Sequence, residues 1–452
     1  MVRTDHGLAP FRHRQLFRRL YSGLESYARP EMPTQTSLPL HRLDRVPVLL
    51  LGGVNLVRSL GAAGIPAIVA SHDMGEPAFG SRYCAGRCLL PPPDRGEAAI
   101  EAIVSIGDRL AAMYARRVPL MYGSDDYLEL IHAHRERLER YFLLLLNDDE
   151  VARALLVKDL FQGFAEARGL PVPRSLAWDG EGAENLAGAA GPVLVKPSNK
   201  VDWHDSLMRR SLFRDAKALI FASGAEAATD PGVAAFKDQL TFQEYIAGDD
   251  TCIWSFHGYA DDAGQVLDSF VGRKVRTYPT RTGESSFIEL AHDEELNRLG
   301  TEIAARIPLK GVFKMDFKRD AASGCWHLFE INARFNLWHY LGARNGVNLL
   351  RVAYDYLLDG IRPAVPRSYG TAFRWLSLDL DVRAFRELHA RGELGLARWL
   401  ASILGSRKVF NLFSWRDPGP LLRFWAFRVV RRWNRGASRF SSLVRQWRST
   451  AS

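Results

Sequence analysis

Residues 310–332 read KGVFKMDFKRDAASGCWHLFEIN, and their alternation decides how the rest of the chain is read. Successive side chains of a strand point to opposite faces. Phe313, Met315 and Phe317 therefore share an apolar face, and Lys314, Asp316 and Lys318 share the other. After the short loop RDAASGC the pattern resumes, with Phe329 and Ile331 on the core side. Leu328, Glu330, Asn332 and, two residues on, Arg334 take the opposite side. The two runs form a β-hairpin, and the register assumed here, one of those the loop allows, sets Asp316 opposite Glu330 and Lys314 opposite Asn332. Carboxylates about 5 Å apart repel by about 3 kcal/mol at an effective dielectric of about 20. A hard divalent cation removes that cost. Two carboxylates and an amide oxygen, completed by phosphate oxygens, suit Mg²⁺, and the flanking Lys314 and Arg334 suit the phosphates. The rival reading is a solvated face on which charges alternate for solubility. The aromatic flank FNLWHY (335–340) speaks against it.

Two lysines lie upstream, Lys158 in the helical pattern ALLVKDLF and Lys196 at the end of the strand-like PVLVKP. Either alone reads as a snorkelling surface residue. Their order is informative: a helix lysine before GLPVP (169–173), a strand lysine in VLVKP, then QEYIAGDD (243–250), KMDF (314–317) and FEINAR (329–334). Over roughly 150–350 this series resembles the ATP-grasp ligases. Within them, VGRKVRTYPTRTGESS (271–286) is similar to the RKxRxYPxxxG pattern of predicted carboxylate–amine ligases.

The resemblance implies roles for individual residues. Lys158 and Lys196 would contact ATP phosphates, and Lys196 also the adenine. The hinge Glu244–Tyr245–Ile246 would hold the adenine edge, through the backbones of Glu244 and Ile246, and Asp250 the ribose hydroxyls. Asp316, Glu330 and Asn332 would hold one or two Mg²⁺, with Mn²⁺ as a substitute. Lys314 and Arg334 would stabilise the transferring phosphoryl group, and Arg273 and Arg276 would bind phosphate or the acid's carboxylate. The implied activity is ATP-dependent joining of a small-molecule carboxylate to an amine through an acyl-phosphate. The alternative is a non-catalytic nucleotide-binding or membrane-peripheral protein that keeps the fold. Two departures stand out. PSNKVDWHDSLM after Lys196 lacks a glycine-rich phosphate flap, leaving Asn199, Lys200 or His204 for that task. Biotin-carboxylase-like members carry a glutamate base four residues beyond the arginine; here Trp338 stands there, which argues against bicarbonate as the acid.

Upstream, VPVLLLGG (46–53) reads as a buried parallel strand and turn, NLVRSLGAAG as a helix closed by Gly64, and IPAIVAS (65–71) as the next strand. This order predicts a Rossmann-like unit, though GxGxxG is absent. Strand and helix signals continue through VPLMYGSDD (118–126) to FLLLL (142–146). The expected class is mixed α/β and α+β. It comprises an Arg-rich extension (1–45), a Rossmann-like domain (46–146), an ATP-grasp domain (147–365) and a basic, amphipathic helical region (366–452). His339 reads as a core histidine or a catalytic one, and Asn345 and Asn348 as turn or pocket residues. Asp125 and Asp126 read as a helix cap or a contact for the second substrate.

Bulk properties narrow the context. Apolar residues make up 47% of the 452, ample for a large core. Four cysteines without metal-knuckle spacing point to a reducing, cytoplasmic setting. No apolar run approaches a membrane span, and no secretory core opens the chain. The net charge of +9 is local, since eight arginines and no acid lie beyond residue 420. There Leu422, Trp425, Ala426, Val429, Val430 and Trp433 form one helical face and Arg423, Arg428, Arg431, Arg432 and Arg435 the other side. That pattern fits a helix packed on the body with solvated arginines, or an interfacial helix drawn to anionic lipid through 421–452. No nucleic-acid module accompanies the arginines, so no nucleic-acid partner is expected.

Overall fold

The computed structural model describes residues 37–431, apart from residues 40, 180–182, 190, 199–206, 215, 217 and 282 and the side chains of Lys158 and Asp159. The expectations for the N-terminal extension to residue 36, for Asn199, Lys200 and His204, and for the tail beyond residue 431 lie outside the described residues.

The first unit is a parallel sheet in the order β3-β2-β1-β4-β5, made of β1 (Val48–Leu51), β2 (Ala67–Ser71), β3 (Cys84–Leu89), β4 (Val118–Tyr122) and β5 (Phe142–Leu143). All of β1 is buried, as an unbroken apolar run covered on both faces must be. Helix α1 (Val54–Ala62) packs on one face and α2 (Glu97–Tyr114) on the other, and α3 (Asp125–Ala133) follows β4.

The helical pattern around Lys158 resolves into two helices, α4 (Asp149–Leu156) and α5 (Lys158–Ala167), separated by Val157 in an extended conformation. A four-stranded antiparallel sheet follows, ordered β6-β9-β7-β8, from β6 (Ser175–Leu176), β7 (Val193–Pro197), β8 (Leu219–Phe221) and β9 (Leu240–Glu244).

The third sheet has seven strands, ordered β14-β13-β10-β11-β12-β15-β16. These are β10 (Ile253–Ala260), β11 (Val266–Tyr278), β12 (Glu284–Leu290), β13 (Gly311–Arg319), β14 (Trp326–Asn332), β15 (Phe373–Leu376) and β16 (Arg407–Phe410). Helix α6 (Glu294–Arg306) covers one face, with Leu296 and Ile303 in a core beside Phe256, Phe313, Met315 and Phe317. Helices α7 (Trp338–Asn345) and α8 (Leu349–Asp359) fill the other face, towards α1. The chain beyond 365 is more than helices: it supplies β15, then α9 (Leu378–Ala390) and α10 (Leu396–Leu404), then β16 and, last among the described residues, α11 (419–431).

The hairpin forms in the anticipated register, Lys314 opposite Asn332 and Asp316 opposite Glu330. Between Asp316 and Phe317 the pairing skips a residue, so Phe317 faces Leu328 and Phe329 bulges. The bulge reverses the expected sides of two residues. Leu328 enters the core, and Phe329 turns to the cleft. Bulges re-aim side chains in this way.

Candidate active site

A cleft of about 1000 Å³ lies between the four-stranded and seven-stranded sheets. Lys196 from β7 and the hinge Glu244, Tyr245 and Ile246 line one side. Lys314, Asp316, Glu330, Asn332 and Arg334 line the other. Leu155 and Leu156, at the break before α5, also reach it, so Lys158 stands at the first turn of a helix that opens beside the cleft.

The polar stripe is internally wired. Asp316, 6% exposed, accepts from the Ser255 hydroxyl and forms a 2.6 Å ion pair with the Lys314 ammonium. Asn332 Nδ2 donates to Glu330 Oε1 at 3.1 Å. Arg334 donates to Asn332 Oδ1 at 3.3 Å and, through Nε, to Asp125 Oδ1 at 2.6 Å. Burial alone would raise the Asp316 carboxyl, but Lys314 and Lys274 hold it well below the usual carboxylate range. It is therefore an anion at any working pH.

The donor set fits a hard cation. Among the described residues no group of three or more His, Cys, Asp or Glu side chains could hold a metal. Two adjoining carboxylates and one amide leave most of an octahedron to phosphate oxygens and water, which is how Mg²⁺ is ordinarily held beside a nucleotide.

Three residues anticipated at the site are engaged elsewhere. Arg276 is buried on the far side of β11 and donates to both oxygens of Asp381 at 2.8 and 2.9 Å and to Ser402. Arg273 pairs with Glu289 at 2.7 Å and lies over the Trp254 ring. Asp250 is 7% exposed, and its oxygens accept from the Thr277 amide, the Thr277 hydroxyl and the Arg281 amide. It braces the hinge against β11 and lacks a face for ribose.

Lys274, between the two arginines, is the residue that reaches the cleft. Strict alternation already opposes it to Arg273. Burial draws its ammonium below the ordinary lysine range, while Asp316 and Glu330 counteract the shift. Lys318 also lines the cleft, its ammonium 4.5 Å from the centre of the Tyr245 ring. Trp338 lies under the Lys314 ammonium at 5.6 Å. His339 is fully buried, accepts from the Asn336 amide, and is pulled down to about 3 by burial. A neutral packing histidine is its role. Asn345 and Asn348 bond main chain: Asn345 ties α7 to Phe373, and Asn348 caps α8 and reaches Ser59 on α1. Ser124 caps α3, which leaves Asp125 for Arg334.

No family model matches the chain. It is similar to a D-aspartate ligase from Enterococcus faecium (strain Aus0004), 26% identical over 294 residues that span 63% of this chain and 68% of the relative. Among solved structures it resembles biotin carboxylase from Campylobacter jejuni in a β-γ-ATP complex, with TM-score 0.53 and 14% identity over 75% of each chain. It also resembles the biotin carboxylase domain of the 2-oxoglutarate carboxylase of Hydrogenobacter thermophilus, in complex with MgADP, ADP and bicarbonate. That likeness has TM-score 0.51 and 17% identity over 75% of this chain and 74% of the other. At these identities the structural likenesses speak for the fold.

Proposed function

We infer that this member of the ATP-grasp superfamily is a ligase that joins a carboxylate to an amine at the expense of ATP. The observation that carries the reading is the stripe Lys314–Asp316–Glu330–Asn332–Arg334, facing Lys196 and the 244–246 hinge across one cleft. The similarity to a D-aspartate ligase supports the reaction class and puts an acidic amino acid first among acids to test.

In the proposed reaction, a carboxylate oxygen of the acid attacks the γ-phosphorus of ATP. The bond to the β-γ bridging oxygen breaks, releasing ADP and leaving an acyl-phosphate. The amine then attacks the acyl carbon, phosphate departs, and the nitrogen gives up a proton. Catalysis of this kind is mostly positioning and charge neutralisation. Lys196 and the first turn of α5 would hold the phosphates, and the hinge the base. Lys314, Lys274 and Arg334, which line the same cleft, would stabilise the transferring phosphoryl group. Asp316, Glu330 and Asn332 would hold one or two Mg²⁺, whose contribution when bound is to neutralise phosphate oxygens. Asp125, fixed by Arg334, stands at the Rossmann-side edge of the cleft, where it would meet an incoming ammonium. Trp338 offers an apolar wall in place of a carboxylate base, which favours an organic acid over bicarbonate.

Four free cysteines, Cys84, Cys88, Cys252 and Cys325, suit a reducing compartment, and the proposed location is cytoplasmic. Among the described residues no helix is long and apolar enough to cross a membrane. The test uses hydroxylamine as a generic amine and a panel of acids that includes both aspartate enantiomers. ATP- and Mg²⁺-dependent hydroxamate should appear with at least one acid. Asp316→Asn and Glu330→Gln should each reduce it by ~10²-fold or more, the loss typical of removing one electrostatic contact to a transition state. Full turnover in both variants would refute the site.

A further inference from the structure

We propose that the outward faces of α10 and α11 form a docking surface for an anionic lipid bilayer. The inference does not rest on the ligase reading. An amphipathic helix on a globular body normally turns its apolar stripe inward; α11 leaves Leu422, Trp425, Val429 and Val430 outside. Its inner side is Pro420, Arg423 and Phe427, flanked by the half-buried Leu421 and Phe424. Arg423 donates to the carbonyls of Met74 and Glu76 and lies over the rings of Phe79 and Phe427. Arg431 pairs with Asp73 at 3.1 Å. The apolar stripe faces solvent, with Leu422 66%, Trp425 55% and Val429 60% exposed.

Helix α10 repeats the arrangement. Trp399 and Ser402 bond inward, to Asp381 and Arg276, while Leu396, Leu400 and Leu404 point outward at successive turns. Trp415, in the link between the helices, is 88% exposed. Half of the exposed large hydrophobic side chains among the described residues fall between Leu396 and Val430. Exposed apolar side chains gathered in one stretch of chain in this way mark a binding face.

Charge selects the occupant. Arg428 is exposed beside this stripe, and the sequence beyond α11 adds five arginines, Trp433 and Trp447, and no acid. A second copy would bring the same positive charge to the contact. Nucleic acid would use the arginines and leave the leucines and tryptophans unexplained. Buried aliphatic and Trp side chains with arginines among headgroups satisfy both features.

The test is co-sedimentation of the full chain with phosphatidylcholine vesicles, with and without about a third phosphatidylglycerol, at moderate salt. The bound fraction should be about five-fold or more higher on the anionic vesicles, in line with the pull of several arginines. The triple variant Leu422→Ser, Trp425→Ser, Val429→Ser should lose most of that binding while melting at the wild-type temperature, because all three positions are exposed. Equal pelleting with both vesicle types overturns the proposal, as does a triple variant that binds like wild type. A dimer in gel filtration that the triple variant dissociates, without lipid binding, assigns the face to a second copy instead. ATP-dependent phosphate release in lipid-free buffer reads the ligase separately.

Discussion

Lys274 is the residue whose position most changes the chemistry expected from sequence. The RKVR segment drew attention to its arginines, yet a strand sends neighbours to opposite sides, and here the arginines brace β11 against Glu289 and Asp381. The register also shifts between Lys274 and Arg276, so both arginines end up away from the cleft. The polar stripe of the hairpin was legible for the opposite reason: alternation puts Lys314 with Asp316 and Glu330 with Asn332, and the assumed pairing of Asp316 with Glu330 formed, although the bulge reversed Leu328 and Phe329. Lys274 carries a prediction. Its pKa is lowered, chiefly by burial, so it loses its proton at a lower pH than an ordinary lysine. The cation is present below that pKa and lost above it, so kcat should fall on the alkaline side before exposed lysines titrate. Lys274→Arg should move that limb to higher pH, and Lys274→Met should lower kcat by ~10²-fold at every pH. A pH–rate profile of kcat for the three proteins checks it; an unmoved alkaline limb in Lys274→Arg would assign that limb to another group.

At the scale of elements, strands ending in glycine, proline or acidic turns were readable, and the division between α4 and α5 was not. Val157 lies in an unbroken helical pattern with no glycine or proline within five residues of it, and only the extended backbone at that position shows the break. The sequence position of Asp250 fits a ribose ligand, while in the fold its carboxylate accepts from Thr277 and Arg281, partners from a distant segment that the local sequence does not announce. The hinge itself offers a sharper test. Gly248 has φ +121°, and a Cβ there would meet Cys252 Sγ at 2.6 Å and Cβ at 2.9 Å. Its carbonyl accepts from the Tyr245 hydroxyl at 3.2 Å, so the turn and the cleft-lining tyrosine are held together. Gly248→Ala should cost ~1–3 kcal/mol in backbone strain, lower the melting temperature, and raise KM for ATP more than it lowers kcat. A variant with wild-type KM for ATP would separate this turn from nucleotide binding.

For the whole molecule, the region beyond residue 365 is where sequence reading fell short. Its Trp and Arg content suggested helices laid on a finished body, whereas short strands inside it complete the large sheet. β15 pairs with β12, β16 pairs with β15, and Trp375 of β15 is 1% exposed. Four-residue strands carry too few residues for alternation to stand out from amphipathic helix patterns. The same region is bolted to the Rossmann-like unit. Arg58 on α1, fully buried, pairs with Asp417 at 2.9 Å, and Asp417 also accepts from the Ser81 hydroxyl and the Arg82 amide. Asp417→Ala would strand the Arg58 guanidinium inside the protein, at ~3–5 kcal/mol by analogy with other buried pairs. Its melting temperature should drop by several degrees, with kcat per folded molecule intact. Removal of all residues from 366 onward should do more. It strips β12 of its partner, removes Trp375 from the core it fills, and leaves Arg276 without Asp381 inside the sheet. Such a chain should be recovered as aggregate or as a species without a cooperative melt, since an unpaired strand edge and an uncompensated buried cation coincide. A chain ending at residue 431 keeps every one of these contacts and should melt like the full chain. If the shorter protein melted cooperatively near the full-length temperature, the C-terminal strands would be an accessory to the sheet and not part of its structure.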